Sequence, residues 1–290
     1  MSQAIPFKIS KFKDKALLIQ TEKGPSFYSH LHYHPEIQIT AIHQSEGIVY
    51  AGNGMGTFKE TDVFIIGPNV PHLFKNTEVY YTAESPGIHG TSIFFDNNSL
   101  GIGFFDLEET AGLRQLLHQS GRVGKILSNT REEINDKILR CKSLDKEDLI
   151  LNFLEILSMI SDSEMEFLNE DHYNFQMNEK EGDRLSSVLD YTFNHYRDDI
   201  TIEHIASHAF LSRSQFSYFF KLHTGKSYIQ FLNDIRIEQA CVLLQDNQST
   251  IEHICYEVGF KNISNFIRQF KRVKGMTPSS FRKMWTLNSI

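Results

Sequence analysis

The sequence predicts a multidomain chain: an N-terminal β-barrel with a helical segment attached to it, followed by an all-helical half built on a duplicated helix pair. Three observations carry this. Over roughly the first 105 residues apolar and polar side chains alternate between glycine- and proline-rich turns; from about residue 106 the apolar period lengthens to that of a helix; and the pentapeptide TIEHI occurs twice, at 201–205 and 250–254. At 290 residues the chain can bury two cores, and with 40% apolar and 22% charged residues it is too apolar for general disorder.

The β part, residues 1–105, is punctuated by Gly52-Asn53-Gly54, Gly67-Pro68-Asn69 and Ser85-Pro86-Gly87 and contains the β-prone run VFIIG at 63–67. The segment 106–168 is helical, clearest where Leu149, Phe153, Ile156, Leu157 and Ile160 line one broad face. Such a face needs a covering surface, either its own β domain or a second copy of the chain, and a homodimer is expected. Residues 169–181, NEDHYNFQMNEKE, are polar and suit a linker; 182–290 form the helical half.

The opening MSQAIPFKIS has no basic-then-apolar leader and no run is long enough to span a bilayer, so a cytoplasmic chain without a membrane partner is expected. Cys141, Cys241 and Cys255 lack paired spacing and read as buried thiols, not as a disulfide framework or a zinc knuckle.

The net charge of −7 is unevenly distributed. Residues 182–290 hold 13 Lys+Arg against 10 Asp+Glu, a net of +3, which leaves −10 for the rest. Beyond residue 258 there is no acid at all, while Lys261, Arg268, Lys271, Arg272, Lys274, Arg282 and Lys283 alternate with Phe266, Phe270 and Phe281. That is the pattern of a folded basic face able to neutralise phosphates.

In the first copy of the repeat, Thr201 caps a short helix with Ile202, Ile205, Ala206 and Ala209 inward, and Ser212 caps a second helix to about Leu222. There Phe216, Phe219 and Phe220 demand burial, which leaves Arg213, Ser214, Ser217, Tyr218 and Lys221 outward. In the second copy Ile251, Ile254, Cys255 and Val258 face inward, Gly259 relaxes the turn, and Phe266 and Phe270 anchor a helix exposing Ile263, Ser264, Ile267, Arg268 and Lys271, with Asn262 just before it. The Phe220-Lys221-x-x-x-Gly225 pattern recurs at 270–275 with an offset one residue longer than that of TIEHI, so the second copy has one extra residue in its turn. From Ser227 to about Asp246 a long helix through Tyr228, Phe231, Leu232, Ile235, Ala240, Leu243 and Leu244 separates the copies. A polar helix face fits the major groove, where Arg recognises guanine; Arg268 is the first candidate for base recognition, with Lys221, Lys271, Arg272 and Lys274 on phosphate.

Residues 182–284 resemble the tandem helix-turn-helix domain of the AraC family. The resemblance rests on Ile205-Ala206, Ser212, Phe220-Lys221, Gly225, Arg236 to Ala240, Leu243-Leu244, Ile254, Gly259-Phe260, Phe266, Phe270-Lys271, Gly275, Pro278 and Phe281-Arg282, with Cys255 where the family usually has Ala. It implies a transcription regulator, not an enzyme, that binds double-stranded DNA, acts as an activator with RNA polymerase and responds to a small molecule such as a carbohydrate. No cofactor is expected.

In the first half, His30, His32, His34, Glu36 and Gln38 alternate so that a strand would put them on one face, and Gly67-Pro68, His72 and Asn76 follow. This resembles the two short motifs of a cupin β-barrel, which AraC-type regulators often carry as a sensor. The spacing fits either His30, His32 and Glu36, or His32 and His34 with Gln38 in place of the acid. These six residues, His72 included, are the candidate effector site. No bound metal is expected; His32, His34 and His72 would be the ligands of one, and a metal-dependent cupin enzyme with an accessory DNA-binding domain is the alternative.

Overall fold

The computed structural model describes residues 15–118, 121–169, 179–245 and 249–287. The chain divides into two compact units, one built on residues 5–54 and 58–176, the other on 177–290.

The first unit opens with β1 (Leu18–Gly24), β2 (Ile37–Gln44), β3 (Gly47–Ala51), β4 (Gly54–Phe58), β5 (Val63–Ile66), β6 (His72–Asn76) and β7 (Ile88–Phe95). It continues with α1 (Ala111–His118), β8 (Val123–Ile126), α2 (Arg131–Arg140), α3 (Lys146–Ser161) and β9 (Met165–Phe167). The strands make a six-stranded sheet, β1-β7-β2-β5-β8-β9, and a three-stranded sheet, β4-β3-β6.

The six-stranded sheet is covered on both faces, which is why β5 reads as a continuous apolar run and why the polar Gln38 and Thr40 of β2 are buried as well as its apolar residues. Along β2, Ile37, Ile39 and Ala41 point into a core with Phe95 and with Ile134 and Ile138 of α2 and Phe153, Ile156, Leu157 and Ile160 of α3. Ile42, Phe64 and Ile66 point the other way, against Val49, Phe58 and Phe74 of the small sheet.

One expectation is corrected here and one open alternative is decided. Among the described residues the sheets do not close into a barrel: they face one another, and the edge strands β1 and β9 pair with neither edge of the small sheet. The apolar face of α3 is not open to a second copy, because Phe153, Ile156, Leu157 and Ile160 lie wholly inside their own unit. The 106–168 segment also adds β8 and β9 to the large sheet. Most of the expected linker, 170–178, lies outside the described residues; Asn169 is buried in the first unit, its Oδ1 accepting from Val123 N at 2.7 Å, and Glu179 opens the next helix.

The second unit contains α4 (Glu179–His195), α5 (Ile202–His208), α6 (Arg213–Thr224), α7 (Tyr228–Gln245), α8 (Ile251–Glu257), α9 (Ile263–Lys274) and α10 (Pro278–Leu287). The caps fall where the sequence puts them. Thr201 and Thr250 Oγ1 accept from the backbone N–H of His204 and His253, and Ser212 and Gln215 form a reciprocal capping box at α6. Gly225 and Gly275 end α6 and α9 at φ 70°. Helix α7 is buried on more than one face: Asp234, Ile237, Glu238 and Cys241 are buried along with Tyr228, Phe231, Leu232 and Ile235, since α6, α8, α9 and α10 all pack on it. All three cysteines are free and buried. Among the described residues no helix is long and apolar enough to cross a membrane.

The turns that close α5 and α8 share a hydrogen-bond pattern. Leu211 N bonds Ala206 O and Phe260 N bonds Cys255 O, both at 3.0 Å, each across one left-handed residue, Phe210 at φ 55° and Gly259 at φ 90°. A Cβ on Gly259 would stand 2.8 Å from Arg197 O and 2.9 Å from Arg197 Cα. Left-handed backbone costs a residue with a Cβ about 1–2 kcal/mol, and this clash with main chain adds to it. Gly259→Ala is therefore expected to destabilise the protein by at least about 2 kcal/mol, read as a lower urea midpoint at unchanged slope; an unchanged midpoint would refute the close approach.

Candidate nucleic-acid interface and ligand pocket

Helices α6 and α9 are each divided into two faces. In α6, Phe216 and Phe220 are fully buried, their rings 5.3–5.5 Å from Tyr228 and, for Phe220, Phe231 of α7. In α9, Phe266 and Phe270 are fully buried, packed on Phe260 and Phe281. With the aromatic faces fixed, the opposite faces must look outward: Ser214, Ser217, Tyr218 and Lys221 on α6 and Ser264, Ile267, Arg268 and Lys271 on α9 are all exposed. Ile263 is half-buried.

Other candidates have partners inside the unit. Asn262 is the cap of α9, its Oδ1 accepting from Asn265 N at 3.0 Å. Arg213 is exposed but ion-paired to Glu203 at 2.7 Å. The Arg272 guanidinium donates to Asp234 at 2.6 Å, and Lys274 lies 2.7 Å from Glu238. Arg272 and Lys274, expected on phosphate, are thus held by two buried carboxylates on α7. Lys261 pairs with Asp199 at 2.6 Å, and Arg282 donates to Ser249 O at 2.8 Å. Of the seven basic residues after position 258, Lys271 and Lys283 are exposed without an ion-pair partner among the described residues, and Arg268 makes a single 2.8 Å contact to its neighbour Asn265.

Asp234 was missed at the sequence level, although an acid in the middle of an apolar helix was a usable signal. Its Oδ1 takes Arg272 of α9 and its Oδ2 takes Lys226, just after α6, at 2.9 Å. One carboxylate therefore joins the C-terminal ends of both outward-facing helices. Arg236, part of the family-like stretch, also has a structural job: it donates to Tyr196 O at 2.7 Å and Asp198 O at 2.9 Å at the end of α4.

In the first unit the residues from His30 to Glu36 form no extended strand; His32 and Tyr33 lie in isolated bridges, and that of His32 pairs it with His72. The uniform strand face is therefore not realised, yet part of the set converges. The rings of His32 and His72 lie 4.3 Å apart, and those of His34 and His72 5.2 Å apart, with Gln38 between His34 and His72. The spacing with Gln38 in place of the acid is the one brought together. His30 stacks edgewise on Tyr28, and Glu36 reaches only the outer nitrogen of His34, at 3.5 Å.

Burial pushes the protonated forms of all three histidines out of favour: His32 is lowered to about 4, His34 is lowered, and His72 is lowered well below its ordinary value, with neighbouring imidazoles adding repulsion at His32 and His72. In each neutral ring Nδ1 lies 2.8–3.0 Å from a main-chain carbonyl, of His30, Glu36 and Val70, so Nδ1 carries the proton and Nε2 the lone pair. The end of Gln38 that lies 2.9 Å from His34 Nε2 and 3.0 Å from His72 Nε2, placed as Oε1, must then be the NH2 of the flipped amide. Its oxygen then faces the Thr40 and Ser92 hydroxyls, which also hydrogen-bond each other at 2.8 Å, so one hydroxyl donates to the amide and the other to its neighbour.

These residues do not fit a metal. Gln38 occupies two of the imidazole lone pairs, and among the described residues no group of three or more His, Cys, Asp or Glu is arranged to hold an ion. His32, His72 and Gln38 instead line a small pocket, about 30 Å³, with Glu22, Phe27, Tyr28, Thr40, Phe74 and Ser92.

Comparison with known proteins bears on the second unit. Residues 205–284 match the family model described as a helix-turn-helix domain. Across 89% of this chain and 87% of its own length, an HTH-type transcriptional regulator of Bacillus subtilis, YdeC, is 25% identical. The probable transcriptional regulator LumQ of Photobacterium leiognathi is 26% identical over 94% of this chain and 98% of its own length. The chain is a DNA-binding transcription regulator with a helix-turn-helix domain of the AraC type at residues 205–284. Among solved structures, the DNA-binding domain of AdpA, determined in complex with a target DNA, overlaps 36% of the regulator and 95% of its own chain, at 25% identity and a TM-score of 0.35. The helix-turn-helix match spans both helix pairs of the regulator from Ile205 onward, so the exposed faces of α6 and α9 belong to the matched region.

Proposed function

We propose that the regulator reads two consecutive major-groove segments of one duplex site with α6 and α9, and that a small uncharged organic effector in the β unit controls this. The observation that carries the DNA reading is the pairing of two capped helices, each with a buried phenylalanine face and an exposed Ser/Lys/Arg face, joined through a buried central helix. In this reading Arg268 and Ser264 on α9, and Ser214, Ser217 and Tyr218 on α6, all exposed, meet base edges, and the exposed Lys221, Lys271 and Lys283 meet phosphate. A competition gel shift on genomic fragments tests this: the account expects a preferred fragment, and binding no tighter than to bulk DNA would refute it.

Arg268 and Lys271 should separate cleanly. Arg268→Ala should lose about 1–3 kcal/mol at one base position and relax preference there, while Lys271→Ala should weaken specific and random duplex alike and flatten the salt dependence. Equal losses on both duplexes for both variants would remove the assignment.

Support for the effector is the pocket's chemistry. Its walls combine three aromatic side chains with imidazole, amide and hydroxyl groups and the carboxyl of Glu22, and the lining residues include no Lys or Arg. That suits a polyhydroxylated neutral molecule such as a sugar better than an anion. A thermal-shift screen checks it: a pentose, hexose or polyol should raise Tm by mass action, whereas a response confined to carboxylate or phosphate ligands would reverse the reading. Activation through RNA polymerase rests on the family resemblance, and the face of α3 gives a homodimer no support.

A further inference from the structure

Phe210 breaks two rules at once. Its backbone is left-handed, at φ 55°, a conformation that favours glycine and is an outlier for a bulky residue. Its side chain is 91% exposed, more than any other described phenylalanine. The second copy of the repeat supplies the internal control, since the equivalent residue of the same hydrogen-bonded turn is Gly259. Glycine thus satisfies this turn without strain. The first copy instead carries an aromatic ring that buries nothing within its own unit, and such outliers concentrate where function holds them.

The surroundings say what the ring meets. Phe210 lies three residues before α6, and Ser207, Ser212, Arg213 and Ser214 around it are all exposed. A protein-docking site surrounds its aromatic anchor with contiguous apolar surface. A lone ring among hydroxyls and a guanidinium suits a duplex, where apolar side chains touch deoxyribose and the thymine methyl while polar neighbours meet phosphate.

We propose that Phe210 is a DNA contact, held outward by the left-handed turn so that its ring lies on sugars and base edges at the groove wall beside α6. This rests on α6 reading the major groove. The residue acts with the outward face of that helix and extends it by one apolar contact.

The test compares full-length protein with Phe210→Gly and Phe210→Asn, both of which tolerate left-handed backbone, on the duplex preferred by the parent. Both variants should fold, and the glycine variant should melt at a Tm no lower than the parent. Both should bind that duplex at least ten-fold more weakly, with the slope of log K against log salt unchanged, because an apolar contact releases no counterions. Affinity within two-fold of the parent for both variants overturns the proposal. Retained affinity with loss of transcription in a purified polymerase assay also overturns it, in favour of a protein contact. If the parent itself prefers no duplex, the groove reading fails and this contact with it; a parent that discriminates beside variants that bind equally well sinks only the contact.

Discussion

Replacing both Lys226 and Arg272 by alanine is expected to destabilise the regulator by about 3–5 kcal/mol, the usual cost of leaving a buried carboxylate without its partners. Asp234 has a side chain only 6% exposed, and these two cations, 2.9 Å and 2.6 Å away, offset its desolvation. Arg272→Ala alone should cost less, since Lys226 remains. Adding Asp234→Ala to the double variant should recover much of the loss by removing the stranded charge. Urea denaturation of the three variants checks the order. If Arg272 were chiefly a phosphate ligand, its removal would leave stability within about 0.5 kcal/mol and depress only DNA affinity, as expected of Lys271→Ala.

The second large effect is acid lability of the β unit. Above pH 6.5 the imidazoles of His32, His34 and His72 are neutral in the folded and unfolded chain alike, and their contribution to stability is complete. As pH falls below 6.5 the unfolded chain takes up protons that the buried rings refuse, so stability declines until the folded rings protonate, at about pH 4 for His32. At about 1.4 kcal/mol per pH unit, that interval implies a loss of roughly 3 kcal/mol from His32 alone. His32→Gln cannot charge, and its unfolding free energy between pH 6.5 and pH 4 should fall by correspondingly less. Parallel acid limbs for parent and variant would show that His32 does not titrate in a buried setting.

The helical half was largely legible because its signals are local. Thr201, Ser212 and Thr250 cap helices through their own neighbours, TIEHI marks the duplication, and phenylalanines three and four residues apart leave only one face free. What escaped depends on partners distant in sequence. Arg272 and Lys274 look like solvated cations until α7 brings Asp234 and Glu238 beneath them, some 36–38 residues away. The same holds in the β half. Strands of four and three residues, VGKI and MEF, carry no period and were hidden among helices. The alternation from His30 to Gln38 suggested a strand, yet the main chain bends after its bridge to His72 and only four of the six candidate side chains converge.

The paired-reader claim is tested most directly by selecting preferred sites from random duplex with purified full-length protein. Two short sequence blocks should emerge, centred about 10–10.5 base pairs apart on one face of the duplex, and inserting five base pairs between them should abolish preference because α7 is packed on every side and cannot follow. A single enriched block, or two blocks that tolerate the insertion, would contradict a pair of helices fixed to one another.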